Sequence, residues 1–240
     1  MSLVILNGST NNDAAWIETS FAAAQQPTGA ISLSCWFKRT ASAQNFPALF
    51  TLWNTGSGDD SWQIYIGFGG NDEVEQTLAV EFNGGNDTTD NFYTLNVWHH
   101  VAVTWDGVNV NIYLDAVLVG GPNAFAGPIV YSGADVFEIG ASNAHDGSVN
   151  GPAADARIYN RGLSAKEVKE LFQARGADSI VQGLVGRYIG NEGAVGVVGG
   201  AGSIKDISKT KNNGTPTKDP GAVDNVKWST DVIKYKRKAI

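Results

Sequence analysis

The sequence is short of sulfur, of histidine and of long apolar runs, and each shortage closes off a class of protein. With a single cysteine, Cys35, no disulfide can form within the chain, so the fold must rest on its own core. Cys35 sits inside the alternating run ISLSCWF and reads as a buried structural thiol. The three histidines are His99, His100 and His145. Neighbours in a strand point to opposite faces, so His99 and His100 cannot ligate one metal from a regular strand, and His145 stands alone in an expected surface loop. No window approaches the roughly 18 uninterrupted apolar residues of a membrane helix. The start, MSLVILNGST, lacks the basic and then apolar stretches of a secretion signal, so the expectation is a soluble chain without one. No Gly-x-Ser-x-Gly elbow is present.

What is present is glycine and alternation. Twenty-nine glycines in 240 residues imply many tight turns, hence many short strands, and one large all-β unit of this length is ordinary. Period-two runs occur at 31–38, 48–53, 62–68, 77–83, 98–105, 136–140 and 153–159. In VNVNIYL, residues Val108, Val110, Ile112 and Leu114 alternate with Asn109, Asn111, Tyr113 and Asp115, which predicts one buried and one wet face. Asp106-Gly107 marks a hairpin turn, as do two of the three glycosylation-type sequons, Asn7-Gly8 and Asn213-Gly214; the third begins at Asn86.

One helix is specified at both ends. Ser164 caps it, Glu167 completes a capping box, Leu163 and Val168 form a staple, and Gly176 is placed to end it. Val168, Leu171 and Phe172 make a short apolar stripe, leaving Lys166, Lys169 and Glu170 to water. Residues 1–176 thus read as the sandwich and 177–240 as a glycine-rich linker and basic extension, too small and polar for a core of its own. Residues 205–240 carry nine basic and four acidic side chains, a net +5, which leaves −12 on the rest of a chain of net charge −7. Opposite fields favour docking of the extension on its own sandwich or a neighbouring one, and an acidic body argues against nucleic acid.

The stretches NVWHHVAVTWDGVNVNIYLDAVLVG and ADARIYNRGLSAKEVKELF, with Leu6-Asn7-Gly8-Ser9 and ISLSCWFKRT, resemble the laminin-G-like and concanavalin A-like lectin/glucanase domains over about residues 3–175. The resemblance implies an all-β, antiparallel two-sheet jelly-roll sandwich with one short helix toward its C-terminal side and an extended tail. GLVGRYIGNEG, Asp206, Ser208 and NNGTPT are similar to the beginning of a second such domain that is never completed, as if residues 184–218 donate strands to a sandwich already made. The chain departs from the family at Asp115-Ala116, where Asp-Gly is common.

Function follows from the resemblance as expectation. The chain reads as a non-catalytic structural or interaction protein with a lectin-like fold, on the surface of a bacteriophage-like virion as a decoration or adhesion protein. It would engage a protein partner or its own subunits through residues 183–240. The alternative is a carbohydrate-binding or adhesion module at a cell surface or outside the cell, with a glycoside hydrolase less favoured. Glucanases of this fold alternate acidic residues along one strand, and the nearest run here, Asp72-Glu73-Val74-Glu75, lacks that spacing and follows Gly69-Gly70-Asn71. A glycan platform would use Trp53, Trp62 or Tyr131, whereas Trp16, Trp36, Trp98 and Trp105 read as packed. Some relatives hold calcium in rim loops, for which this chain offers Asp59, Asp60, Asn71 and Asp72. No other cofactor is implied.

Overall fold

The computed structural model describes residues 2–5, 15–20, 26–40, 47–53, 60–66, 77–82, 85–88, 93–131, 136–141, 149–190, 196–197, 200–218 and 226–229, and the structural statements here concern these. In chain order the first eight strands are β1 (Ser2–Ile5), β2 (Ala15–Ser20), β3 (Ile31–Phe37), β4 (Ala48–Trp53), β5 (Asp60–Tyr65), β6 (Ala79–Phe82), β7 (Gly85–Thr88) and β8 (His99–Trp105). They are followed by β9 (Asn109–Leu114), β10 (Val117–Ala124), β11 (Val136–Ile139) and β12 (Gly151–Tyr159), then by helix α1 (Ala165–Ala174). The extension adds β13 (Leu184–Tyr188), β14 (Gly196–Val197), β15 (Thr215–Lys218) and β16 (Lys227–Ser229).

These strands form the expected two-sheet antiparallel sandwich. One sheet runs β10-β9-β8-β3-β12-β1-β16-β14, with β13 also on β12, and the other runs β15-β2-β11-β4-β5-β6-β7. Alternation explains the packing: Leu33, Cys35, Phe37, Val101, Val103 and Trp105 from the first sheet meet Ile17, Phe50, Leu52, Ile64, Phe82 and Phe137 from the second. Burial of these side chains is the main favourable term in folding, at about 25 cal/mol per Å² of apolar surface.

The expected wet face of VNVNIYL is only partly wet. Tyr113 is buried, together with Ala102, Tyr159, Leu163, Val168, Leu171 and Ile180, because α1 and the chain after it lie across the outside of the larger sheet. Val108, expected inside, is 63% exposed, since β9 starts one residue later and Val108 belongs to the turn. That turn is set by the Asp106 carboxylate, which accepts the Val108 and Asn109 amides at 2.9 and 2.8 Å. The capping box of α1 is formed as expected, but Arg175 takes the left-handed cap conformation at φ 46° ahead of Gly176. Its guanidinium lies 5.8 Å over the Trp36 ring, a contact that glycine at this cap would lack.

The extension pairs with its own sandwich. β13 lies along β12, β15 along β2, and β16 along β1, while Tyr188, Ile204, Val226 and Trp228 enter the same core. The loop between β13 and β15 is shaped by the buried Asp206 carboxylate. It accepts the backbone amides of Arg187, Ser208 and Asn212 at 2.9, 2.8 and 2.9 Å and the Ser208 and Thr210 hydroxyls at 2.8 and 2.7 Å.

At Asp115-Ala116, the two-residue turn between β9 and β10, both residues have positive φ, 51° and 67°. That is the hairpin geometry whose second position favours glycine, and alanine is strained there by about 1 kcal/mol. Ala116→Gly is therefore expected to raise stability by up to about 1 kcal/mol in equilibrium urea unfolding, and a loss of stability would show that the turn is not the one described.

Candidate functional site

The aromatic residues expected to form a platform do not do so together. Trp62 is wholly buried, its ring 5.5 Å from Phe137, because its strand position faces the other sheet; the expectation of an exposed Trp62 is corrected on that ground. Tyr131 is half-buried and its hydroxyl donates to the Pro27 carbonyl at 2.6 Å, which ties it to the chain beside it. Trp53 ends β4, with backbone paired to Val136 and Asp60, and its side chain lies outside the described residues. Asp60 opens β5, while Asp59, Asn71 and Asp72 lie outside the described residues, as do Glu73 and Glu75. Among the described residues no three metal-ligating side chains gather.

The smaller sheet supplies a different constellation. Strand pairing sets Thr215 of β15 opposite Glu18 of β2, Glu18 opposite Glu138 of β11, and Glu138 opposite Thr51 of β4. Thr51 in turn faces Gln63 of β5, and Gln63 faces Glu81 of β6. Direct partners share a face, so these six polar residues make one straight row on the side of the sheet turned away from the core. From Glu18 to Glu81 the row crosses four strand spacings, about 19 Å.

Each member has a defined environment. Glu18, Glu81 and Thr215 reach solvent, while Glu138 is 5% exposed and Thr51 and Gln63 are fully buried. The Thr51 hydroxyl donates to the Ala141 carbonyl at 2.8 Å. The Tyr65 hydroxyl lies 2.6 Å from Gln63 Oε1 and 3.1 Å from Glu81 Oε2, and Gln63 Nε2 has no hydrogen-bond partner among the described residues. Apolar surface flanks the row: Tyr65 packs between Ala48 and Ala79, and Trp16 packs on Ala141. The row thus sets two solvent-reaching carboxylates at its flanks around a buried carboxylate, hydroxyl and amide, across several strands.

Several buried titratable groups away from the row are tied into the scaffold. His99 Nε2 accepts the Thr94 amide at 3.1 Å, so the proton sits on Nδ1 and is donated to Asp115 at 2.8 Å, leaving no nitrogen for a substrate. His100 lies between Trp36 and Phe172, and burial, with Arg157 nearby, lowers its pKa to about 4. Burial pushes the Cys35 thiol up, out of the reactive range. Arg157, 1% exposed, is gripped from two sides: Asp155 accepts from Nε and Nη2 at 3.1 and 2.5 Å, and Asp178 from Nη1 and Nη2, both at 2.8 Å. Arg187 adds a 2.8 Å bond to Asp155. Burial opposes charge on Asp155 and Asp178, but the guanidiniums outweigh it and hold both carboxyls below their usual range.

With this geometry in hand, the comparisons identify the fold. A family model described as the concanavalin A-like lectin/glucanases superfamily, of the laminin-G type, matches residues 10–169, and the chain belongs to that superfamily. Among solved structures, a candidate carbohydrate-binding protein from Bacteroides ovatus superposes with TM-score 0.65 and 19% identity over 90% of this chain and 58% of that one. The heptameric SAP-like pentraxin of Limulus polyphemus follows with TM-score 0.53 and 15% identity, over 73% of this chain and 84% of its own. The sialidase of Trypanosoma rangeli gives 0.51 and 16%, over 70% and 28%. At these identities the likeness is one of fold. The chain spans little more than half the length of the Bacteroides protein, and no curated protein sequence matches it.

Two outcomes follow from the buried charges. Asp178→Asn strips one charge from the grip on Arg157 and should cost about 3 kcal/mol in urea unfolding; a loss below about 1 kcal/mol would contradict the network. His100, with a folded pKa below its unfolded value, contributes fully above pH 6.5, and that contribution is lost as pH falls from 6.5 to about 4. Stability should drop by about 3 kcal/mol across that window, and His100→Gln should flatten the profile.

Proposed function

We propose that the chain is a non-catalytic carbohydrate-binding module whose ligand lies on the polar row of the smaller sheet. The observation that carries this reading is the row itself: six polar residues in register across six strands, of which Glu18, Glu81 and Thr215 reach solvent. Sugars present hydroxyls that both donate and accept, beside patches of C–H surface that pack on aromatic rings. The lectin-like fold and the carbohydrate-binding description of the Bacteroides protein agree with this reading. Each described strand of the row brings a single carboxylate at most, unlike the alternating acids of the glucanases on this fold, which favours binding over hydrolysis.

The described strands of the extension pair within the same chain, which agrees with docking on its own sandwich; a place on a virion surface is compatible with sugar binding and rests on the family resemblance alone.

Affinity electrophoresis of the full chain in gels containing xylan, β-glucan, mannan or starch is expected to show retardation by at least one polysaccharide, with no release of reducing ends on incubation. Glu18→Ala, at a member of the row that reaches solvent, should weaken that retardation at least tenfold while the chain stays folded. Mobility unchanged by every polysaccharide, or steady release of reducing sugar, would sink the proposal.

A further inference from the structure

The extension closes its own sandwich with one side of its chain and turns the other to water. From Ile204 to Lys209 burial alternates residue by residue: Ile204, Asp206 and Ser208 are buried, whereas Lys205, Ile207 and Lys209 are exposed, and Lys211 beyond them is exposed too. The backbone is held on both flanks. Ile204 exchanges hydrogen bonds with Gly214 at 3.1 and 2.8 Å, and the Ile207 amide donates to the Arg187 carbonyl at 2.9 Å. Alternate residues of an extended chain stand about 7 Å apart, so Ile207, 43% exposed, has a lysine on either side of it. Asp206 is the one acid in residues 200–218, and its carboxylate is turned inward onto amides and hydroxyls. Among the described residues neither Lys209 nor Lys211 has a carboxylate partner. The result is a cationic stripe with an apolar centre on a fixed backbone.

We infer that this stripe docks an acidic, extended segment of another protein. Charge sets the sign of the partner, since exposed ammonium groups with no carboxylate among them attract an anion. The exposed isoleucine sets its class. Protein interfaces place an apolar centre inside a polar rim, as Lys205, Ile207 and Lys209 do. Sugars pack their C–H faces on aromatic rings, and the stripe has none. Single-stranded nucleic acid likewise stacks on aromatic or guanidinium planes, and a chain of net charge −7 repels a polyphosphate. One isoleucine is too little apolar surface to hold a bilayer. A second copy of this chain would bring a second body of the same net negative charge, whereas an extended segment brings only its own carboxylates within screening distance. Because the backbone at Ile204 and Ile207 is already paired, the partner is held by side chains and adds no strand. The extension thus serves its own sandwich and a partner together, and this inference does not depend on the carbohydrate-binding reading.

Fluorescence anisotropy with the full chain tests this. The probe is a labelled peptide that alternates glutamate with serine around one central leucine; its counterparts carry glutamine for glutamate, or serine for leucine. The acidic, leucine-bearing probe should bind at least tenfold tighter than the glutamine one and weaken about tenfold between low and high salt. Lys209→Glu with Lys211→Glu, both at exposed positions, should weaken it at least tenfold, and glutamine at the same two positions should act in the same direction. Lys166→Glu with Lys169→Glu on α1 changes the net charge equally and should leave binding within twofold. Ile207→Ser should cost several-fold with the leucine probe and nothing with its serine counterpart. No binding of the acidic probe, or an equal loss from both lysine pairs, would overturn the docking surface. Equal or tighter binding of oligothymidylate or oligogalacturonate of the same charge would overturn its assignment to a protein segment, as would unchanged binding in Ile207→Ser.

Discussion

Arg157 is a guanidinium taken almost wholly out of water, and the rest of the larger sheet is arranged so that this costs the protein little. A lone buried cation is penalised by several kcal/mol even after relaxation, whereas one whose donors all find carboxylates can be held. Asp155 supplies one carboxylate from the same strand, and does so because the strand bulges there: its φ is 51° and the pairing of β12 with β3 shifts register between Ala154 and Arg157. Asp178 supplies the other from the segment after the helix, and the Tyr159 hydroxyl lies 3.2 Å from Nη1. Arg187, on β13, bonds Asp155 at 2.8 Å and the Gly176 carbonyl at 3.0 Å. One charge network therefore joins the closing strand, the end of the helix and the first strand of the extension.

The placement of the extension follows from this. Once Asp178 and Arg187 are fixed on β12, β13 has one edge to pair with, and the loop organised by Asp206 returns the chain toward the other sheet, where β15 pairs with β2. Tyr188 links the two, its hydroxyl donating to the Asn212 carbonyl at 2.8 Å while its ring faces Phe137 in the core. The polar row gains Thr215 from this return, so the segment that looked least able to fold alone widens the surface proposed to bind sugar.

Much of the scaffold was legible because alternation and capping are local. The strands at 31–37, 48–53 and 99–105 and the capping box at Ser164 and Glu167 lie within a residue or so of where their patterns put them. The row was not legible, although its signal was present: ALFTLW, WQIYI, LAVEF and VFEIG each carry one such polar residue among apolar and aromatic ones. Nothing local says that these four residues stand side by side, since that depends on register set by long-range pairing. Trp62 was misjudged for the same reason, as proximity to a loop in sequence outweighed the face its position takes. Asp155 and Arg157 lie inside the motif ADARIYNRGLSAKEVKELF, but nothing local marks them as a pair, and their partners Asp178 and Arg187 lie 21 and 32 residues further on as the hydrogen bonds run.

The central claim is that the extension completes the sandwich of its own chain. Light scattering on the full chain, together with urea unfolding over a hundredfold range of protein concentration, tests it most directly. The account predicts a mass near 25.4 kDa and one unfolding midpoint that does not move with concentration. A larger defined mass, or a midpoint that rises with concentration, would place the strands of the extension in a neighbouring chain and contradict it.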